Sequence, residues 1–267
     1  MTSTDAPHRP RWLIALCAVA VFLIVDTLGL GPFKALAGDW QGWPRLGALA
    51  VLGYGLYLVA PLALAAWLFG PRAAPGALGL RAPVLKGLGV AFAGTAILPV
   101  GYGLLAPMAP LGDALARELV RSALLPGFAE EVLYRGLLFG LLFRFAGWGF
   151  VPAVLLNAVL FGGAHLYQGG DAGQAAMIFA LTAFGAAIFA WLYVEWDFNL
   201  WVPIGAHVLM NAWWSLFEVD DTALGPAWAV GLRLASVAIL VGLTLVHARR
   251  RGGRRVRGRR WWRGEPA

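Results

Sequence analysis

The sequence contains few charged residues for a chain of its length. Only 13% of the 267 residues are charged, whereas a soluble domain carries about a quarter. Hydrophobic residues make up 60% of the chain. A water-soluble fold of this composition would have to expose a large apolar surface. The shortage of charge therefore excludes an ordinary soluble domain and indicates an integral membrane protein.

Other absences exclude particular chemistries. Cysteine occurs once, as Cys17 within an apolar run, so the chain forms no intramolecular disulfide. The HExxH signature of helical zinc proteases is missing. A serine protease of the rhomboid type needs a nucleophile beside a histidine, and Ser122, Ser215 and Ser236 have no such setting in the sequence.

Long apolar runs dominate the sequence. A helix that spans the roughly 30 Å of bilayer hydrocarbon needs about 20 mostly apolar residues. Eight runs of this kind predict an all-α, polytopic bundle of about eight transmembrane helices, and the chain has no soluble linker, so we expect a single membrane domain over 1–267. The runs are Trp12 to Leu30, Leu46 to Phe69, Val84 to Leu105, Phe128 to Phe145, Phe150 to Tyr167, Gln174 to Val194, Leu200 to Phe217 and Ala227 to His247.

Two segments outside the central runs need a separate interpretation. Between the third and fourth runs, Leu111, Leu115 and Leu119 share one helical face, which predicts an amphipathic helix at the membrane interface. The first run precedes Ala35-Leu36-Ala37, which resembles a signal-peptidase site. We expect the first helix to be retained, because a secretory signal has an apolar core of only about 7 to 15 residues.

Arginine is concentrated after His247, and this tail supplies most of the net charge of +7. Basic residues beside a spanning helix favour the cytoplasmic side. With eight spans, Arg72, Arg81 and Arg144 fall on the same side as the tail. We therefore expect a multi-pass protein of a bacterial inner membrane, with a cytoplasmic tail (248–267) that contacts lipids. The alternative for such a tail is that its arginines bind the phosphates of a nucleic acid. We favour the membrane role and expect no nucleic-acid partner.

Ionisable residues within apolar spans are costly, so each one calls for a structural or functional reason. The fourth run contains Glu130 and Glu131 followed by Arg135. The four-residue spacing of Glu131 and Arg135 favours an ion pair on one helical face. Glu130 points about 100° away around the helix and is free to face another neighbour.

Two further polar segments complete a candidate site. The fifth run ends in Phe161-Gly-Gly-Ala-His165, and the seventh contains His207 and Asn211 on one helical face. A glutamate can take a proton from water, and histidines can orient that water or bind a metal such as zinc. An asparagine amide can stabilise the oxyanion that forms on an attacked carbonyl. If these helices meet, the pocket has what hydrolysis requires.

The motifs EExxxR, FxxxH and HxxxN, in this order on successive runs, resemble those of the CPBP intramembrane protease family. That family includes CAAX prenyl endopeptidases and bacteriocin-processing proteins. The resemblance covers about 128–217 and implies an endopeptidase for a membrane-bound peptide or prenylated protein. It implies Glu130 as the base that activates water, with His165, His207 and Asn211 in the catalytic centre. The supporting positions are Glu131, Arg135 and Phe161.

Two mechanisms and two other classes of protein stay open at this point. Within the resembled family, a metal-dependent and a metal-free, glutamate-driven mechanism have both been proposed. In this chain the metal would be zinc held by His165 and His207. A proton- or ion-coupled transporter would also place glutamate and histidine in the membrane, although the two halves of the chain show no convincing symmetry. A non-catalytic immunity or scaffold protein would keep the fold without the reaction.

Overall fold

A computed structural model describes residues 9–220, 222 and 224–264, and this part of the chain is helical, without a β-strand. The α-helices are α1 Arg11–Leu28, α2 Gly31–Leu36, α3 Gly42–Ala48, α4 Gly55–Phe69, α5 Ala74–Ala77, α6 Val84–Thr95, α7 Ile97–Leu105, α8 Asp113–Glu118, α9 Leu125–Glu130, α10 Gly140–Arg144, α11 Phe150–Gly163, α12 Ala172–Glu195, α13 Trp201–Leu216 and α14 Ala227–Arg250. Three π-helical segments are π1 Leu49–Gly53, π2 Leu119–Leu124 and π3 Glu131–Phe139, and two 3-10 turns cover Leu166–Gln168 and Gly258–Trp261.

Six helical stretches in the described residues are long and apolar enough to cross a membrane. They match the first, second, third, fifth, sixth and eighth predicted runs. Only 22–39% of their most apolar windows is buried inside the protein, so most of their apolar surface faces outward. This confirms the predicted all-helical membrane bundle. The stretches are Arg11–Leu36, Gly42–Phe69, Val84–Leu105, Phe150–Gln168, Ala172–Glu195 and Ala227–Arg250.

The fourth and seventh predicted runs are helical but do not meet the same criterion. The seventh forms α13, which has only 16 residues. The fourth lies within a continuous helical segment from α8 to α10, in which the predicted interfacial helix runs directly into the motif-bearing part. That segment is rich in ionisable residues. The expected total of eight spans is therefore not confirmed and stays a prediction.

The centre of the bundle is π3. All nine of its residues are buried, including the charged Glu131 and Arg135. It contacts α1, α4, α9, α10, α11 and α12, and Leu133, Leu137 and Phe139 lie in the largest apolar core. A π-helical turn contains more residues than an α-helical turn and often occurs at functional sites. Here it presents both charged side chains to the interior.

The helix that carries the third motif, α13, packs against α6, π2 and α9. Its approach to α9 requires a glycine at position 127. A Cβ atom built on Gly127 would lie 2.9 Å from the backbone nitrogen of Val208. Small residues let membrane helices approach closely. This contact brings His207, which precedes Val208, next to the helix that carries the glutamates.

The arginine-rich tail folds back onto the bundle as far as the structure describes it. Glu195 pairs with Arg251, and Asp197 pairs with Arg255. Val256 is fully buried, and the backbone N–H of Gly264 donates to the carbonyl oxygen of Gly147 at 2.9 Å. The sequence predicted a membrane anchor, and these tertiary contacts of the tail were not foreseen.

Candidate active site

Glu131 and Arg135 form the ion pair that their spacing predicts. The Arg135 Nη1 lies 2.9 Å from Glu131 Oε1, and neither side chain has more than 1% of its surface exposed. The Arg135 guanidinium also lies over the Phe161 ring, 4.3 Å from its centroid. A buried charge is tolerated in such a place only when it is paired. Arg135 therefore supplies the counter-charge of the Glu131 carboxylate in the interior.

Glu131 has a second partner that the sequence did not reveal. Its Oε1 atom lies 2.8 Å from Nδ1 of His207, across 76 positions of the chain. Because an ionised carboxylate only accepts hydrogen bonds, Nδ1 of His207 carries the proton and donates it. A carboxylate that holds one ring nitrogen fixes the tautomer and orientation of the imidazole. Nε2 of His207 is left with its lone pair.

His165 is held in a similar way by a backbone group. Its Nδ1 lies 2.7 Å from the carbonyl oxygen of Phe161, which can only accept. Nδ1 of His165 therefore donates, and Nε2 keeps its lone pair in the neutral ring. The Phe161 ring packs against the imidazole, with 4.5 Å between the ring centroids. Phe161, predicted as a supporting residue, thus contacts both His165 and Arg135.

Glu130 lies beside this arrangement without joining its hydrogen bonds. It is close enough to His207, His165, Glu131 and Arg135 to interact with them electrostatically. The same carboxylate interacts with Tyr54 and Tyr57 of the second predicted run. Glu130 is thus within electrostatic range of both imidazoles, and Glu131 rather than Glu130 carries the ion pair.

Asn211 lies one helical turn after His207 on α13. Its Nδ2 donates to the carbonyl oxygen of Ser122 at 3.1 Å, which ties α13 to π2. The amide group has two N–H donors and one carbonyl oxygen, so one donor and the acceptor stay available. Ser122 and Ser215 also share a hydrogen bond, at 3.1 Å, and neither contacts a histidine.

A cavity of about 350 Å³ opens beside these residues. Arg135, His165, His207 and Asn211 contribute the polar part of its wall, together with Arg233, and its apolar wall includes Phe161, Phe189 and Met210. The two glutamates do not line the cavity as it stands in this structure. A mostly apolar cavity with a few convergent polar groups is typical of a ligand or substrate site.

The arrangement was tested for a zinc centre, which the sequence left open at His165 and His207. Catalytic zinc is held by three protein ligands. Over the described ranges, no group of three or more His, Cys, Asp and Glu residues is placed to hold a metal ion. Glu130, His165 and His207 lie near one another but do not form such a group. The side chains do not fit a three-ligand zinc site.

Sequence reasoning overlooked one intramembrane acid. Asp26 lies in α1, and its Oδ1 accepts a hydrogen bond of 2.8 Å from the hydroxyl of Tyr134. Tyr134 belongs to π3 and packs edge-on against Phe161, with 4.9 Å between the ring centroids. The signal that could have revealed Asp26 is an acidic residue inside the first apolar run, where charge is costly. Asp26 thus ties α1 to π3 through Tyr134.

A buried glutamate, a half-buried glutamate and two oriented imidazoles beside a cavity are groups that a hydrolytic site inside a membrane could use. Residues 113–213, less than half of the chain, match the family described as Type II CAAX prenyl endopeptidase Rce1-like. This match supports the CPBP family of CAAX proteases, the family that the three motifs resemble. No curated protein and no solved structure matches the chain significantly.

Proposed function

We propose that the protein is a membrane-embedded endopeptidase that hydrolyses a peptide bond of a membrane-bound or prenylated substrate, with Glu130 as the general base. The observation that supports this most directly is that Glu130 interacts electrostatically with both His165 and His207, whose rings are held through Nδ1. The family match supports a CAAX-type intramembrane peptidase in general. The roles of the individual residues and the mechanism are proposed here in addition to that general activity.

The hydrogen bonds of the histidines define what each ring can do. With Nδ1 donating, Nε2 of a neutral ring accepts a hydrogen bond from water. A water molecule has two O–H groups, so it can donate one to Glu130 and the other to an imidazole. This orients the oxygen lone pair toward a substrate carbonyl. General-base catalysis by such a carboxylate contributes about 10²- to 10⁴-fold to the rate.

The reaction balances with these groups alone. Glu130 takes a proton from water as the oxygen attacks the carbonyl carbon. The second N–H of the Asn211 amide donates to the oxygen that becomes negative. Protonated Glu130 then gives its proton to the leaving amine as the C–N bond breaks, which restores the carboxylate. Glu131 acts by positioning His207, because it contacts the ring and not the reacting atoms, and Arg135 acts through its ion pair with Glu131.

The substrate class and the location are proposed on separate grounds. The apolar cavity wall suits a hydrophobic segment or a prenyl chain beside the scissile bond. Loop charges support a cytoplasmic tail in a bacterial inner membrane. In that orientation Glu130 and His165 lie toward the other face, so substrate enters laterally through the membrane or is itself membrane-embedded.

The decisive experiment measures cleavage of a prenylated peptide by the full chain purified in detergent. We expect Glu130→Gln to reduce kcat by about 100-fold or more, because the amide cannot accept the proton of water. Glu218→Gln is the matched control, since Glu218 is an exposed glutamate in the loop after α13. The control should retain activity. Full activity in the Glu130→Gln protein would remove the proposed base.

Two further readouts separate the alternatives. Bound zinc is measured in the same preparation, and cleavage is repeated after treatment with a strong chelator. We expect substoichiometric zinc and retained activity, because no three-ligand site was found among the described residues. Loss of activity that added zinc restores would contradict the metal-free mechanism. A proton flux into liposomes that Glu130→Gln abolishes, without peptide cleavage, would favour the transporter.

A further inference from the structure

A second cavity is lined mainly by residues of the arginine-rich tail. Its volume is about 910 Å³, and its wall consists of eight arginines and four glycines. No acidic side chain of the described residues contributes to that wall. Like charges are gathered at such a density only against a compensating anion or open solvent. Such arginines can line an ordered site or belong to a segment without tertiary contacts.

The tail is ordered by contacts that leave little freedom to the loop. The buried carboxylate of Glu195 accepts the backbone N–H of Arg255 at 2.9 Å and that of Val256 at 3.0 Å. The Trp261 ring meets Phe150 edge-on, with 5.5 Å between the centroids. Further along, Gly149 is in close contact with the backbone of Trp262, a place where a side chain would not fit. The cavity wall is therefore a folded part of the molecule.

Four arginines of this wall have no acidic partner among the described residues: Arg254, Arg257, Arg259 and Arg263. All four are exposed. Among the described acids, Glu195 and Asp197 contact the tail, and they already pair with Arg251 and Arg255. The cavity thus carries a surplus of guanidinium groups. Guanidinium forks match the geometry of phosphate oxygens and bind them bidentately.

The position of the cavity indicates where the anion comes from. Its wall includes Arg11, the first residue of α1, and the tail directly follows α14. Trp12 and Trp262, on either side of this region, are 67% and 70% exposed. Exposed tryptophan next to arginine at a helix end is typical of the headgroup level of a bilayer. The cavity therefore opens where lipid phosphates are found.

We propose that the arginine cavity binds a phosphate-bearing anion at the membrane surface, supplied by the headgroup of an anionic phospholipid. Basic pockets at helix ends bind such headgroups in other membrane proteins, and each arginine near an anionic surface contributes to the binding. A soluble phosphate compound would offer the same chemistry and is distinguished by experiment. The proposal does not depend on the peptidase reaction.

The test compares lipids that differ only in the headgroup. Binding of a short-chain phosphatidylglycerol and of the matching phosphatidylcholine to the full chain in detergent is measured at physiological salt. We expect phosphatidylglycerol to bind and phosphatidylcholine to bind at least about tenfold more weakly. The double variant Arg257→Gln with Arg259→Gln should weaken phosphatidylglycerol binding by about tenfold or more.

The matched control is Arg249→Gln with Arg250→Gln, which removes two exposed arginines at the end of α14 that do not line the cavity. Its effect should stay below about threefold. The variant Arg257→Lys with Arg259→Lys keeps the charge but removes two guanidinium forks, so its binding should lie between that of the wild type and that of the Arg257→Gln with Arg259→Gln double. An equal loss in both glutamine doubles would overturn the site and indicate diffuse electrostatic attraction instead. Unchanged binding in both doubles would also overturn the site.

Two competitors identify the source of the phosphate. If inorganic pyrophosphate binds as tightly as the lipid and depends in the same way on Arg257 and Arg259, the cavity binds a soluble phosphate compound. The proposed recognition of phosphate then stands, and the lipid source does not. Failure of both phosphatidylglycerol and pyrophosphate to bind overturns the proposal. Preferential binding of a single-stranded oligonucleotide, lost in the Arg257 and Arg259 variant, would also overturn it and identify a nucleic-acid site.

Discussion

At the scale of single residues, the glutamate that the sequence marked as structural has a direct link to a candidate catalytic ring. Glu131 contacts Arg135 and His207 through the same Oε1 atom. The sequence predicts the first contact, because a spacing of four places both residues on one helical face. It could not predict the second, because nothing in two distant segments says which of two adjacent glutamates will meet the imidazole.

This double role can be tested with a pair of substitutions. Glu131→Gln leaves the buried Arg135 without its counter-charge and should cost about 3–5 kcal/mol of stability. Adding Arg135→Met removes that unpaired charge and should restore much of the stability. Peptidase activity should stay about 10- to 100-fold below the wild type in the double variant, because His207 has lost the carboxylate that orients it.

Thermal unfolding in detergent and peptide cleavage, measured on the same samples, separate the two effects. Recovery of both stability and activity in the double variant would show that Glu131 serves the ion pair alone. Recovery of stability without activity would support its role in positioning His207.

At the scale of helices, the geometry of the site depends on how closely α9 and α13 approach each other. Gly127→Ala adds a Cβ atom that would lie 2.9 Å from the backbone nitrogen of Val208. The helices would have to separate, which should cost about 1–3 kcal/mol and shift His207 relative to Glu130. We expect a loss of kcat larger than the rise in KM.

Gly89→Ala serves as the control for this helix contact. Gly89 also lies inside a helix, α6, and a Cβ atom there would have no neighbour within 4 Å among the described residues. This variant should keep its activity and its melting temperature. Similar losses in both variants would mean that any alanine in place of a helical glycine disturbs the bundle.

The sequence predicts the helices better than it predicts their irregularities. The apolar runs predicted the ends of α1, α11, α12 and α14 within a few residues, because twenty apolar residues in a row have few alternatives in a membrane. The second run begins well before α4, and the third run covers both α6 and α7. The π-helical segments left no recognisable signal, since a wider turn is selected by packing rather than by residue type. The docking of the tail was missed for the same reason, because Glu195 and Val256 meet only in the folded chain.

At the scale of the whole molecule, the orientation in the membrane follows from the distribution of basic residues and is open to a labelling experiment. With the native Cys17 replaced by alanine, a cysteine introduced as Glu218→Cys should react with an impermeant thiol reagent added to intact cells. A cysteine introduced as Arg254→Cys should react only after the membrane is opened. The loop after α13 would then lie outside and the tail inside, as the positive-inside rule predicts.

Labelling of the tail in intact cells, together with protection of Glu218→Cys, would reverse this topology. The site would then open toward the cytoplasm, where a soluble prenylated protein could reach it without crossing the bilayer. The arginine cavity would remain at the level of the lipid phosphates in either orientation, because its position depends on the helix ends.

The short length of α13 has a consequence for how a hydrolytic reaction obtains water inside a membrane. Its 16 residues extend over about 24 Å at 1.5 Å per residue, less than the roughly 30 Å of bilayer hydrocarbon. As a membrane span, a helix of this length would have at least one end below the membrane surface, where the polar backbone of the adjoining loop would draw solvent to that depth. His207 is six residues from the start of α13, about 9 Å along the axis, so hydrophobic mismatch gives the reactant water a short route to the imidazole.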